Sequence, residues 1–147
     1  MLFDIEKNKG YMDVKQSTIN YIVIHHSASK PSTTLEEITS WHKARGFNTV
    51  GYHKVIYDDG TIMNGRPENT VPASVKDHNK NTLAVCLTGN FEVDQPTTFQ
   101  LISLELVIKE WQTRWPGAKV ICHRDLAPTL CPGKNLFDWV KSKYIYI

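Results

Sequence analysis

An α/β domain, a single mixed β-sheet flanked by helices, is the fold class this sequence predicts. Three observations carry the prediction. Apolar runs at residues 21–24, 82–87 and 119–122 read as buried strands, and stretches with helical spacing at 35–45 and 97–115 alternate with them. An Asp58-Asp59-Gly60 turn between β-prone runs marks an antiparallel hairpin, so the sheet is mixed. With 147 residues, 41% of them hydrophobic, the chain has enough apolar side chain for one core. We therefore expect one domain over residues 1–147, with residues 1–17 as an N-terminal arm.

Each element has its own local reason. Tyr21 to Ile24 is apolar at every position, as a central strand covered on both faces requires. Thr33 and Glu36 have capping-box spacing, Leu35, Ile38 and Trp41 recur along one face, and Gly46 supplies a stop, which predicts a helix over 35–45. Residues 51–57 and 61–63 flank the turn as hairpin strands. Residues 66–81 hold two prolines and three asparagines and read as a long loop bordering a groove. Residues 82–87 return to strand and Gly89 closes them. Thr97 and Gln100 again form a capping-box pair, followed at helical intervals by Leu101, Leu104, Ile108, Trp111 and Trp115, until Pro116-Gly117 ends the helix. Residues 119–122 form the last strand, and a closing helix over 136–144 is capped near Asn135.

Composition excludes some classes. A net charge of +2 is too small to point to nucleic acid. The first 18 residues contain no apolar stretch of signal-peptide or membrane-helix length, so we expect a protein made for the cytosol, or leaving it by another route, without signal peptide or membrane span. A monomer is expected as well, though no residue decides it. Three cysteines lack disulfide-framework spacing, and Cys86 and Cys122 sit in apolar runs as buried thiols.

The chemistry gathers at two places. His25-His26 ends one strand, and His123 ends another, followed by a short Pro-containing loop to Cys131. In an open α/β sheet, ligands collect beyond the carboxyl ends of strands. One of the adjacent histidines, with His123 and Cys131, would give a metal three ligands and leave one position open, the arrangement of hydrolytic zinc. Strand alternation lets only one of His25 and His26 enter a given cleft, and the pattern does not choose between them. A metal-free Cys131–His123 hydrolase is the competing reading of the same residues.

Ile24-His25-His26-Ser27-Ala28, Trp41-His42-Lys43, Gly51-Tyr52-His53, Asp59-Gly60-Thr61, residues 83–89 and residues 123–133 occur in the order found in zinc N-acetylmuramoyl-L-alanine amidases. The chain resembles the small bacteriophage lysozymes of amidase type and is similar to animal peptidoglycan recognition proteins. The resemblance implies zinc held by His25, His123 and Cys131, with His26 at a variable position. It implies catalytic roles for Tyr52 and Thr129 and, as the reaction, hydrolysis of the amide between N-acetylmuramic acid and L-alanine in peptidoglycan. Thr129 stands where many phage members have lysine, and Ser74 where many have histidine, a place His78 need not fill. Asp125 is expected either to accept from His123 and orient it or, equally, to be a solvated loop aspartate. A phage endolysin, made in the host cytoplasm and acting on the cell wall after release, is the leading implication; a cytosolic muropeptide-recycling amidase and a non-catalytic peptidoglycan-binding module are the alternatives. No residue speaks to a second partner such as a phage RNA polymerase.

Overall fold

The computed structural model describes residues 14–144. Most of the expected arm, residues 1–13, therefore lies outside the described residues. The elements run β1 (Tyr21–His26), α1 (Leu35–Ala44), β2 (Lys54–Ile56), β3 (Ile62–Asn64), β4 (Thr82–Leu87), α2 (Thr98–Arg114), β5 (Lys119–Cys122), α3 (His123–Leu126) and α4 (Lys134–Lys143).

The strands form one sheet in the order β3-β2-β4-β1-β5. β1 is parallel to both β4 and β5, β2 is parallel to β4, and β3 alone is antiparallel, to β2. The mixed sheet is as expected, and its hairpin strands are shorter than the apolar runs that announced them. Every residue of β4 is buried, which suits a strand paired on both edges and covered on both faces.

Alternation along the strands divides the core. Ile22 and Ile24 of β1, Leu83, Val85 and Leu87 of β4 and Val120 of β5 pack with Leu104, Ile108 and Trp111 of α2 and with Leu136 and Val140 of α4. On the opposite face Val55 and Cys86 meet Ile38 of α1, while Val23 and Ile121 meet Val75, Leu126 and Ala127. His25, two residues after Val23, belongs to this second face.

Several local expectations need correction. The capping box of α1 is one residue later than expected: Thr34 accepts from the Glu37 N–H, and Glu37 accepts from the Thr34 N–H. Thr33 instead turns its hydroxyl to the Lys30 carbonyl. His42 rather than Trp41 completes the buried face of α1, because His42 lies four residues after Ile38, and Trp41 is 44% exposed. α4 begins at Lys134, before the expected Asn135 cap, with Gly133 as its N-cap. The end of the supposed arm is docked: Gln16 donates to the Thr82 carbonyl at 2.7 Å and accepts from the Asn81 N–H at 3.0 Å. No helix among the described residues is long and apolar enough to cross a membrane.

Candidate active site

β1 delivers His25 at its C-terminal end, buried and on the face away from α2. His26 turns the other way, its Nδ1 accepting the Phe91 N–H at 3.1 Å. Alternation thus selects His25 for the cleft. His123 does not simply leave a strand end, as expected, but is the first residue of α3. The His25 and His123 rings are 4.9 Å apart between centroids, and His25 Nδ1 lies 3.6 Å from Cys131 Sγ.

One potential ligand atom from each of His25, His123 and Cys131 lies within 4.8 Å of the others. Bonds of about 2.3 Å to sulfur and about 2.0 Å to nitrogen at a tetrahedral angle would hold S and N about 3.5 Å apart, close to the separation found. His25 Nε2 is buried without a hydrogen-bond partner. Nδ1 is the His25 nitrogen that faces the sulfur, and with the His123 imidazole and the ionisable Cys131 thiol it makes a nitrogen–sulfur donor set that fits a metal.

Electrostatics prepare these groups unequally. Burial, then the neighbouring His123, holds His25 well below the ordinary histidine range, and burial lowers His123 as well. Both rings are therefore neutral at physiological pH, as ligands must be. Burial pushes the Cys131 thiol up to about 12, against the opposing pull of the His26 N–H, which donates to its sulfur at 3.4 Å, and of Arg124. A nucleophilic cysteine needs the opposite shift, so the environment disfavours the metal-free thiol hydrolase and suits a sulfur that ionises on meeting a cation.

Tyr52 stands beside His25, with ring centroids 5.0 Å apart, and its other neighbour is the His42 ring at 5.2 Å. Its position is set by backbone. The Gly51 N–H donates to His42 Nδ1 at 2.8 Å, and the Arg66 N–H donates to the Tyr52 carbonyl at 2.9 Å. A Cβ on Gly51 would lie 2.1 Å from the Ala73 carbonyl oxygen, so only glycine lets the 66–81 loop close on this side. Burial, then the thiols of Cys86 and Cys131, raise Tyr52 well above the usual phenol range, keeping it a protonated donor. The sequence did not assign His42 this supporting place; its spacing from Ile38 on α1 was the available signal.

Thr129 accepts the Cys131 N–H at 3.2 Å, which leaves its hydroxyl proton for another acceptor. Asp125 does not reach His123. Its carboxylate accepts the Cys122 N–H at 2.8 Å, capping α3, and pairs with Lys141. Ser74 is partly buried, its hydroxyl without a partner, whereas His78 lies exposed on the turn and does not replace it. Ala73, beside Ser74, pairs with Gly51, and Val75 packs against Leu126 and Ala127, so the 66–81 loop does border the site on two sides.

Residues 15–134 match the family described as N-acetylmuramoyl-L-alanine amidase. An endolysin of Klebsiella phage KP32 is 34% identical over 132 residues, covering 85% of this chain and 87% of that protein. Among solved structures, the N-acetylmuramoyl-L-alanine amidase LysC from Clostridium intestinale URNW superposes with a TM-score of 0.80 at 34% identity, covering 86% of this chain and 85% of its own. Drosophila PGRP-LB superposes with a TM-score of 0.83 at 26% identity, covering 90% of this chain and 85% of its own. The fold, the order of its motifs and these likenesses agree: the chain belongs to the N-acetylmuramoyl-L-alanine amidase family.

Proposed function

We propose that the protein is an endolysin that hydrolyses the amide joining the lactyl group of N-acetylmuramic acid to L-alanine in bacterial peptidoglycan, with zinc held by His25, His123 and Cys131. One observation carries the metal reading: two neutral imidazoles and a thiol, from segments as much as 106 residues apart, meet at one point, with His25 Nδ1 3.6 Å from the Cys131 sulfur. The phage relatives support the endolysin role.

When bound, zinc supplies a Lewis acid for the scissile carbonyl and makes water acidic enough to attack near neutral pH. The protein's own groups do the remaining work. Tyr52, kept protonated by burial, donates a hydrogen bond to the oxygen that gains charge as the carbonyl becomes tetrahedral. Thr129, whose oxygen is occupied by the Cys131 N–H, offers its proton to the same oxygen without bringing a charge. The sugar–peptide bond must therefore enter between Tyr52 and the 129–131 segment, beside the 66–81 loop.

Purified protein incubated with intact peptidoglycan is expected to release new L-alanine amino termini and no new reducing sugar ends. Metal analysis is expected to give one zinc per chain, falling sharply in Cys131→Ala. New reducing ends would indicate a glycosidase, and unchanged muropeptide mass a binding module. Rapid cleavage of soluble anhydro-muropeptides with intact wall left untouched would instead mark a recycling enzyme.

A further inference from the structure

Cys131 sits on an irregular stretch between α3 and α4, yet its sulfur must be carried to the end of β1. A ligand on a loose loop binds metal weakly, because the ion must first order the chain. We propose that Glu92, on the turn between β4 and α2, is the positioning residue that holds the Cys131 loop in its metal-ready place. The inference rests on the metal reading above and adds to it a residue that no motif assigned.

The ties converge on one carboxylate. Glu92 Oε2 accepts the backbone N–H of Lys134, just beyond Cys131, and pairs with Arg124 at 3.2 Å. Arg124 donates from its guanidinium to the Leu130 carbonyl at 2.7 Å and from its backbone to the Cys131 carbonyl at 3.0 Å. Glu92 thus reaches both flanks of the cysteine. Its own segment is anchored to the metal strand, since the neighbouring Phe91 N–H donates to His26 Nδ1, and the His26 N–H donates to the Cys131 sulfur. Close packing leaves little slack: a Cβ on Gly133 would lie 2.4 Å from the Phe91 carbonyl carbon. His26, variable by resemblance, gains a use here as the anchor of that turn.

A general structural role and a positioning role differ in what they change. The Glu92 side chain is 32% exposed and that of Arg124 is 25% exposed, and ion pairs this close to solvent add little to global stability. Their removal should leave the melting temperature nearly unchanged while loosening the sulfur.

The test is zinc affinity, read by chelator competition on the whole protein, in wild type, Glu92→Ala, Glu92→Gln, Cys131→Ala and the Glu92→Ala/Cys131→Ala double variant. Glu92→Ala should weaken zinc binding by roughly 10- to 100-fold. Glu92→Gln, which keeps an acceptor for the Lys134 N–H, should lose less, and it carries the comparison should Glu92→Ala melt early. Once Cys131 is gone, the Glu92 change should alter affinity by less than about twofold. The proposal is overturned if Glu92→Ala and Glu92→Gln both bind zinc like wild type, or if the loss persists undiminished in the Cys131→Ala background. Wild-type protein that takes up no zinc would overturn the metal reading itself; wild-type uptake with an inert Glu92 would overturn only this inference.

Discussion

Tyr52, between two imidazoles, has its ring fixed from both sides, so its hydroxyl can be removed without collapsing the site. Tyr52→Phe should lower kcat on the order of a hundredfold, with zinc content and KM near wild type, because the lost hydrogen bond is made only as charge develops. Steady-state kinetics with zinc analysis on the same preparation checks this. Cys131 leads to a pH prediction. Its thiol is held near 12 while His25 and His123 lie below 6.5, so between about pH 7 and 9 zinc displaces one proton, from sulfur. Apparent zinc affinity should therefore rise at least tenfold per pH unit in that window, and the proton owed to sulfur should be missing from the weakly buffered titration of Cys131→Ala. At this scale much was legible in the sequence, because a histidine ending a strand and a His–Cys pair eight residues apart are chemically unusual. The choice between His25 and His26 was not, since it depends on which face of β1 the cleft occupies. Neither reading of Asp125 foresaw its cap on the Cys122 N–H, because α3 was too short to be read, nor its pairing with Lys141, which needs α4 to pack.

At the scale of elements, two helices begin on threonine caps of unequal importance. Thr34 satisfies only its own helix, and Thr34→Ala should cost about 1 kcal/mol. Thr97 also donates to the Asp58 carbonyl at 2.6 Å, tying α2 to the β2–β3 hairpin, so Thr97→Ala should cost about 2 kcal/mol. Urea unfolding of the two variants measures the difference, and equal losses would mean the second bond contributes nothing. The α2 cap was readable because only one threonine there has a Gln three residues on. Near α1, Thr33 and Thr34 each precede a glutamate by three, and tertiary contacts decide: the Tyr57 hydroxyl accepts the Leu35 N–H at 2.7 Å and sets where the helix starts. α3 escaped detection because four residues make too little periodicity to read.

For the molecule as a whole, acid should be the weakness. His53 is 1% exposed, its Nδ1 accepting the Ala84 N–H at 3.0 Å and its Nε2 donating to the Thr70 carbonyl at 2.8 Å, and the ring meets Trp111 edge-on. It joins sheet, loop and α2 in its neutral form, and burial lowers its pKa to about 4. The unfolded chain takes up this proton near pH 6.5 and the folded one only near 4. The stability it supplies is therefore complete above 6.5, wanes below that, and is gone once pH has fallen through 4. The loss is roughly 3 kcal/mol. Melting temperature should drop steeply between pH 6.5 and 4.5, and a flat profile would contradict this account. The mixed sheet and its helical layers were legible from hydrophobic periodicity, but strand order was not, because the pairing of β1 with both β4 and β5 is a long-range choice. That pairing also affects timing. The strand made first lies between two made later, and residues 123 and 131 follow the last of them, so a half-synthesised chain still on the ribosome lacks two of the three groups for gripping an ion. Lytic power, on this account, arrives only after residue 131 has been made.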